Sequence, residues 1–248
     1  GVERMGDDSP EADAEILAMT VECLLTAGLT EFQVSVGQVD YYKAIFAQTG
    51  MSQEEEEELR ELISQKNYFG VEELVKNKNM DKSLARVLSQ LPQMFGSAEV
   101  LEKAKALTDN PQALKAVARL EEIYELLKVY GYEKYITFDF AMLSKYHYYT
   151  GIIFQAYTYG TGEPLIKGGR YNQLMPAASI GFAIVVDNLL MALSRQKLEM
   201  EDPDDVTVIT YRKENRIQAI KEAKELRAQG KNVALRPEKV TKVCEVEL

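Results

Sequence analysis

The fold prediction rests on one stretch, YYTGIIFQAYTYGTGEPLIKGGRY, residues 148–171. Residues 152–159 alternate with the period of two that indicates a strand. Residues 160–163 (GTGE) are typical of a hairpin turn, and residues 164–167 are expected to return antiparallel. We expect a bend at the glycine pair that follows, so that both ends of the hairpin lie side by side.

The groups at that shared end are aromatic and threonine hydroxyls, a guanidinium and glycines, which together could hold a small amphoteric ligand. They come from the segments YYTG, residues 148–151, and GGRY, residues 168–171. Ordinary sheet chemistry is an equally available interpretation, because tyrosines are frequent in strands and glycines in turns. On residue pattern alone, we favour the ordinary interpretation.

The composition is typical of a reduced cytosolic protein, and we expect neither a metal site nor a cofactor. The 248 residues include two cysteines and one histidine, too few for a cysteine or histidine metal cluster. No apolar run approaches the ~20 residues that cross a bilayer, and no signal-peptide pattern is present. The net charge of −10 disfavours nucleic acid as a partner, because an acidic surface repels phosphates.

Helix and strand signals alternate up to residue 46. Ser9 and Pro10 predict a helix that runs to about residue 27, where Gly28 ends it. Residues 31–37 (EFQVSVG) predict a half-buried strand, and residues 40–46 a further helix. The opening residues, 1–6, have the pattern of the inside of a strand and turn, so we expect further residues before them.

Two domains are predicted. The first, residues 1–201, holds the sheet, and helical periodicity without a strand predicts an all-α insertion at about residues 52–130. The second, residues 204–248, contains a strand, a helix and a strand, a βαβ pattern that implies parallel pairing. The expected class is therefore α+β: a mostly antiparallel sheet with flanking helices, plus a small α/β piece.

Four ordered segments resemble the histidyl-tRNA synthetase core, a class II aminoacyl-tRNA synthetase fold. They are ERMGDDSPEADAEI (residues 3–16), SKYHYYTG (144–151), GGRY (168–171) and GFAIVVDNL (181–189). The closer resemblance is to a paralogous family, the regulatory subunits of ATP phosphoribosyltransferase in histidine biosynthesis. The resemblance covers about residues 1–200.

This chain differs from the synthetases at two positions, and these differences favour the regulatory family. Ser144 and Asn188 stand where the synthetases carry arginines that contact phosphate during amino-acid activation. Losing one hydrogen-bond donor that is directed at the developing charge commonly lowers the reaction rate by ~10²–10³-fold. The resemblance therefore implies a non-catalytic regulatory subunit that needs a catalytic phosphoribosyltransferase partner and L-histidine as effector. It also implies a homodimer within a larger hetero-oligomer.

By family position, a histidine-binding site would take its α-ammonium ligand from Glu3. Its imidazole would contact Tyr148 and Tyr149, with help from Thr150. Gly168 and Gly169 would let the backbone approach the ligand. The remaining candidates are His147, Arg170 and Tyr171. For Arg170 an equal alternative is a structural role, tying the bend to a carboxylate.

Two other functions stay open at this point. One is a divergent synthetase that activates histidine with ATP. The other is an assembly protein whose amino-acid pocket is vestigial.

Overall fold

A seven-stranded sheet forms the frame of the first compact unit, residues 1–198, in a computed structural model. The structure describes residues 1–78, 80–143, 148–173, 176–198 and 206–238. The strands are β1 (Val2–Met5), β2 (Phe32–Gln38), β3 (Phe95–Gly96), β4 (Ile136–Asp139), β5 (Ile152–Thr158), β6 (Ile166–Arg170) and β7 (Ser179–Ile184). Their order across the sheet is β1-β7-β6-β5-β2-β4-β3, and within it only β2 and β4 pair in parallel.

Helices flank the sheet of this unit, and capping groups mark the ends of several of them. Their bounds are α1 (Pro10–Thr26), α2 (Val39–Phe46), α3 (Gln53–Ser64), α4 (Tyr68–Asn77), α5 (Lys82–Gln90), α6 (Glu99–Ala106), α7 (Pro111–Tyr130) and α8 (Val186–Arg195). The Ser9 side chain caps α1, and Gly131, in the left-handed conformation, ends α7. Helix α1 packs against α7 and β7, and α7 also contacts β2. These two helices therefore cover one face of the sheet, and the opposite face is called the far face below.

The fold class predicted from the sequence is confirmed, with three corrections of detail. The expected all-α insertion also contributes β3, which pairs with Phe138 and Asp139. Two residues are too few for a period-two pattern, so the sequence did not reveal this strand. Strand β2 is buried at every position except Gln33, rather than half-buried, because it lies between β4 and β5, α7 packs on one face and Met142 covers Gly37 on the other.

The third correction concerns the glycine pair. Gly168 and Gly169 do not form a bend; they lie inside β6, paired with β5 on one side and β7 on the other. Neither has a positive φ. Their function is therefore to leave space beside the strand, not to turn the chain.

The second unit, residues 199–248, contains a parallel strand pair around one helix. Strand β8 (Thr207–Tyr211) pairs with β9 (Val233–Pro237), and α9 (Arg216–Ala228) connects them. The parallel βαβ pairing predicted from the sequence is confirmed. No helix of the described residues is long and apolar enough to cross a membrane.

Candidate functional site

One row of residues on the far face crosses five strands and consists mainly of glycines. Cross-strand pairing joins Gly37 to Ile153, Ile153 to Gly169, Gly169 to Gly181, and Gly181 to Glu3. Paired residues on neighbouring strands point to the same face of a sheet. Three of these five positions have no side chain, so the row forms a trough, which we call the glycine trough.

Three side chains lie against the glycines of the trough: that of Glu3, which belongs to the row, and those of Tyr149 and Met142, which do not. A Cβ atom at Gly169 would be 2.8 Å from the Tyr149 ring. At Gly181 it would overlap the Glu3 carboxylate and lie 2.4 Å from the Val2 carbonyl oxygen, and at Gly37 it would lie 2.9 Å from Met142 Cβ. The glycines are therefore needed because the Glu3 carboxylate and the Tyr149 ring rest directly on the sheet.

A carboxylate and three tyrosines meet at the β1 end of the trough. The Tyr171 hydroxyl donates a hydrogen bond to Glu3 Oε2. Tyr148 and Tyr149 pack against each other with ring centroids 4.4 Å apart, and Tyr148 also interacts electrostatically with Tyr171. Burial, together with the bond to Glu3, raises the pKa of Tyr171 to about 12. Tyr171 is therefore a neutral donor near pH 7, facing one anionic acceptor.

The pKa of Tyr171 gives a testable pH dependence. The folded pKa of about 12 lies above the ordinary 10.0, so the stability from this hydroxyl is present below pH 10 and is lost between pH 10 and 12. Glu3→Gln removes the charged acceptor, and we expect it to lower this pKa but leave it above 10, because burial is the larger cause. NMR of ¹³C-labelled tyrosine, assigned with Tyr171→Phe, measures both values; a wild-type midpoint near 10 would contradict the hydrogen bond.

Thr150 connects the two segments of the site instead of lining the trough. Its backbone N–H donates to the Arg170 carbonyl oxygen at 2.7 Å, and its hydroxyl accepts from the Asn172 N–H at 2.9 Å. Lys43 Nζ, on α2, donates to the Tyr149 carbonyl oxygen at 3.2 Å. Backbone bonds thus hold Tyr149 over Gly169, and the Thr150 hydroxyl is used in that frame.

Arg170 points away from the trough, as the neighbour of Gly169 on a strand must. Its side chain is buried, and its Nε donates to Asp13 Oδ1 at 2.8 Å. Nη2 lies 2.6 Å from the same oxygen without the alignment of a second hydrogen bond. Nη1 donates to the Asp7 carbonyl oxygen at 2.9 Å. The structure therefore places Arg170 with a carboxylate on α1 and does not bring it to Glu3 and the tyrosines.

Asp13 is the residue that sequence reasoning missed. Its position in the first turn of α1 is one where acidic residues are common, but Asp13 is fully buried and holds two arginines. Arg119, on α7, donates from Nε to Asp13 Oδ2 at 2.7 Å while Arg170 binds Oδ1. Burial raises the pKa of Asp13, and the two guanidinium groups oppose that shift. Asp13, Arg119 and Arg170 form what we call the buried triad, which ties α1, α7 and β6 together.

The remaining positions named from the sequence do not line the glycine trough or lie outside the described residues. Gly168 faces the helix side, where a Cβ would lie 2.4 Å from the Phe154 ring, so it permits core packing. His147 and Ser144 lie outside the described residues. Asn188 Nδ2 donates to the Pro164 carbonyl oxygen at 2.9 Å and presents no positive charge. Within the described ranges, no group of three or more His, Cys, Asp or Glu residues could hold a metal ion.

Comparison with known proteins gives the family. A family model described as histidyl-tRNA synthetase matches residues 1–189. The chain belongs to the histidyl-tRNA synthetase family. Among solved structures, a protein from Bacillus halodurans titled ATP phosphoribosyltransferase regulatory subunit/histidyl-tRNA synthetase has a TM-score of 0.73 and 32% identity. The match covers 98% of this chain and 63% of that one. Histidyl-tRNA synthetase from Nostoc sp. PCC 7120, with 20% identity over 97% of this chain and 61% of its own, shares the fold at a TM-score of 0.68.

Within this family, similar curated proteins carry the name ATP phosphoribosyltransferase regulatory subunit. The one from Acetivibrio thermocellus is 38% identical over 235 residues, which are 93% of this chain and 56% of that protein. The one from Thermoanaerobacter pseudethanolicus is 39% identical over 242 residues, 95% of this chain and 63% of that protein. The chain thus spans a little more than half the length of these members of the histidyl-tRNA synthetase family.

Proposed function

We propose that this chain belongs to a non-catalytic regulatory subunit of ATP phosphoribosyltransferase, which binds L-histidine in the glycine trough. The observation that carries the proposal is the meeting of Glu3, Tyr149 and Tyr171 over the glycines of the trough. A carboxylate can hold the α-ammonium group of histidine, and neutral tyrosine hydroxyls can bond to its imidazole nitrogens. The names of the relatives that are 38–39% identical support the regulatory role.

The same site is poorly suited to activating an amino acid with ATP. Activation places growing negative charge on a phosphate, which positively charged side chains stabilise. Asn188 offers a neutral amide that already donates to a backbone carbonyl. Ser144, at the other position where synthetases carry an arginine, is also uncharged. We therefore propose that the trough recognises histidine and that the chemistry belongs to a separate catalytic chain.

The proposed protein works in the cytoplasm, as a homodimer within a larger hetero-oligomer that includes the catalytic phosphoribosyltransferase. Feedback inhibition then means a coupling free energy between histidine in the trough and a distant catalytic site. Such coupling is typically 5–150-fold in affinity, or about 1–3 kcal/mol. It requires that histidine bind one arrangement of the complex better than another.

The direct test is calorimetric titration of L-histidine into the protein, with and without the catalytic chain. We expect saturable binding that Tyr171→Phe and Glu3→Gln each weaken at least tenfold, because each removes a group that faces the ligand. Tyr159→Phe is the matched control, since Tyr159 is 61% exposed in the β5–β6 turn. The control should bind like the wild type.

Two outcomes would contradict the proposal. One is the absence of histidine binding in both titrations, which would leave the regulatory role without its effector site. The other is appreciable histidine-dependent exchange of pyrophosphate into ATP, which would show that the protein activates the amino acid itself.

A further inference from the structure

A second pocket lies on the far face beside the glycine trough, and the function proposed above does not use it. Its volume is about 490 Å³, and β2, β4 and β5 form its floor. Thr137, Ser35 and Gln155 are paired across these three strands, so their side chains form a continuous polar row. Ser35 is two residues from Gly37, and Gln155 two from Ile153, which separates this row from the trough by about 7 Å along the strands. Met142 lines the pocket and also covers Gly37.

Two hydroxyl groups in this row are buried without a hydrogen-bond partner in the described part of the chain. Ser35 Oγ and Thr137 Oγ1 each expose less than 1 Å². Ser35 as a whole is 6% exposed, and both residues line the pocket. Buried polar groups in folded proteins are nearly always paired, because an unpaired group has lost its water without a replacement. Two such groups side by side point to a ligand that supplies the missing partners.

The charges in the pocket are already balanced. Lys66 Nζ lies 3.0 Å from Asp139 Oδ2, and Asp139 Oδ1 accepts from the Ala141 N–H at 2.9 Å. Lys66 and Asp139 are the only charged side chains among the described lining residues. Lys167, the next residue across the sheet from Gln155, is exposed and lies outside the lining. A ligand with a net charge would therefore lose its water without meeting an unpaired countercharge.

The remaining lining combines neutral hydrogen-bonding groups with an apolar wall. The Tyr157 hydroxyl donates to Gln155 Oε1, and burial raises the pKa of Tyr157, which keeps it a neutral donor. Phe95, 52% exposed, and Met142 and Leu143 line the pocket as apolar groups. Hydroxyl and amide groups on one side and an aromatic ring on another suit a ligand that has hydroxyls and a planar face.

We propose that this pocket binds a small uncharged ligand of the nucleoside class, with its hydroxyls or base edge bonded to Ser35 and Thr137. The site is distinct from the glycine trough, since the two occupy different rows of the sheet, although Met142 borders both. The row of Thr137, Ser35 and Gln155 supplies the polar contacts, and Phe95 supplies an apolar surface beside Lys66, whose Nζ lies 4.6 Å from the centre of the Phe95 ring.

The test titrates adenosine into the protein and into two variants that remove one hydroxyl each, Ser35→Ala and Thr137→Val. We expect saturable wild-type binding and at least a tenfold loss of affinity in each variant. The melting temperature of each unliganded variant should stay equal or rise, because a buried group without a partner has been removed. A merely structural hydroxyl would instead lower the melting temperature on removal. Ser64→Ala is the matched control, since Ser64 also lines the pocket but its hydroxyl donates to the Glu61 carbonyl oxygen.

Further titrations separate this proposal from its alternatives. Glu3→Gln should bind adenosine like the wild type, and loss of binding there would place the ligand in the trough and overturn the second site. AMP should bind more weakly than adenosine, and tighter binding of AMP would overturn the uncharged ligand class. Absence of saturable adenosine binding at millimolar concentration, or unchanged affinity in Ser35→Ala and Thr137→Val, would overturn the proposal itself. None of these outcomes depends on whether histidine binds.

Discussion

Replacing Asp13 by alanine should destabilise the fold by about 3–5 kcal/mol, the range found when one partner of a buried ion pair is removed. Asp13 is fully buried and accepts hydrogen bonds from Arg119 and Arg170. Arg170 is itself 1% exposed, so its guanidinium would stay buried without its carboxylate. Chemical denaturation of the wild type and the variant measures the difference in the free energy of unfolding.

Three further variants show whether the loss of stability in Asp13→Ala is caused by the lost charge. Glu11→Gln removes a carboxylate from the exposed side of the same helix turn and should change stability by less than about 0.5 kcal/mol. Asp13→Asn keeps the shape but not the charge, so it should still destabilise strongly. The double variant Asp13→Leu/Arg170→Met should recover part of the loss, because it removes the fully buried guanidinium together with its carboxylate and leaves only Arg119, whose side chain is partly exposed, without Asp13. Equal stability of Asp13→Ala and the wild type would rule out the triad as a structural element.

The second large effect is expected for Gly181→Ala. The new methyl group would overlap the Glu3 carboxylate and lie 2.4 Å from the Val2 carbonyl oxygen. A side chain can move aside, but a backbone oxygen within a strand pair cannot move without disturbing β1. Overpacking of this kind costs typically about 1–3 kcal/mol. Because Glu3 is pushed from its place, we also expect histidine affinity to fall at least tenfold.

The control for this prediction is Gly162→Ala, in the β5–β6 turn. A Cβ there would meet no atom within 4 Å, and its φ is not positive. It should leave both stability and histidine affinity unchanged. Histidine titration of both variants, well below their melting temperatures, separates the loss of the site from the loss of the fold. Wild-type affinity in Gly181→Ala would show that Glu3 does not contact the ligand.

Local chemistry explains which parts of the fold could be predicted from the sequence. Ser9 and Pro10 set the start of α1, and Asn110 and Gly131 mark both ends of α7, because each acts on backbone groups within a few residues. Ser52 and Glu55 likewise form a capping box at the start of α3. The alternation of β5 follows from a strand with one face in the core.

The missed features all depend on pairing between distant segments. The glycine trough exists only once the register of five strands is known, and the sequence does not state which glycines lie opposite each other. The buried triad joins residues 106 and 157 positions apart. The sequence predicts a bend at Gly168 and Gly169 because glycine is common in turns, whereas the close approach of Phe154 and Tyr149 requires glycines at these positions within a strand.

The buried triad also restricts how this sequence can change over time. Asp13 lies between two arginines from different elements, so replacing Asp13 leaves both guanidinium groups without this carboxylate, and replacing either arginine removes one of the two partners that offset the burial of Asp13. A neutral replacement is tolerated only when its partners have already changed, which makes the order of substitutions matter. We therefore expect these three positions to evolve as a unit: the single-step intermediates between two acceptable combinations would be too unstable to persist.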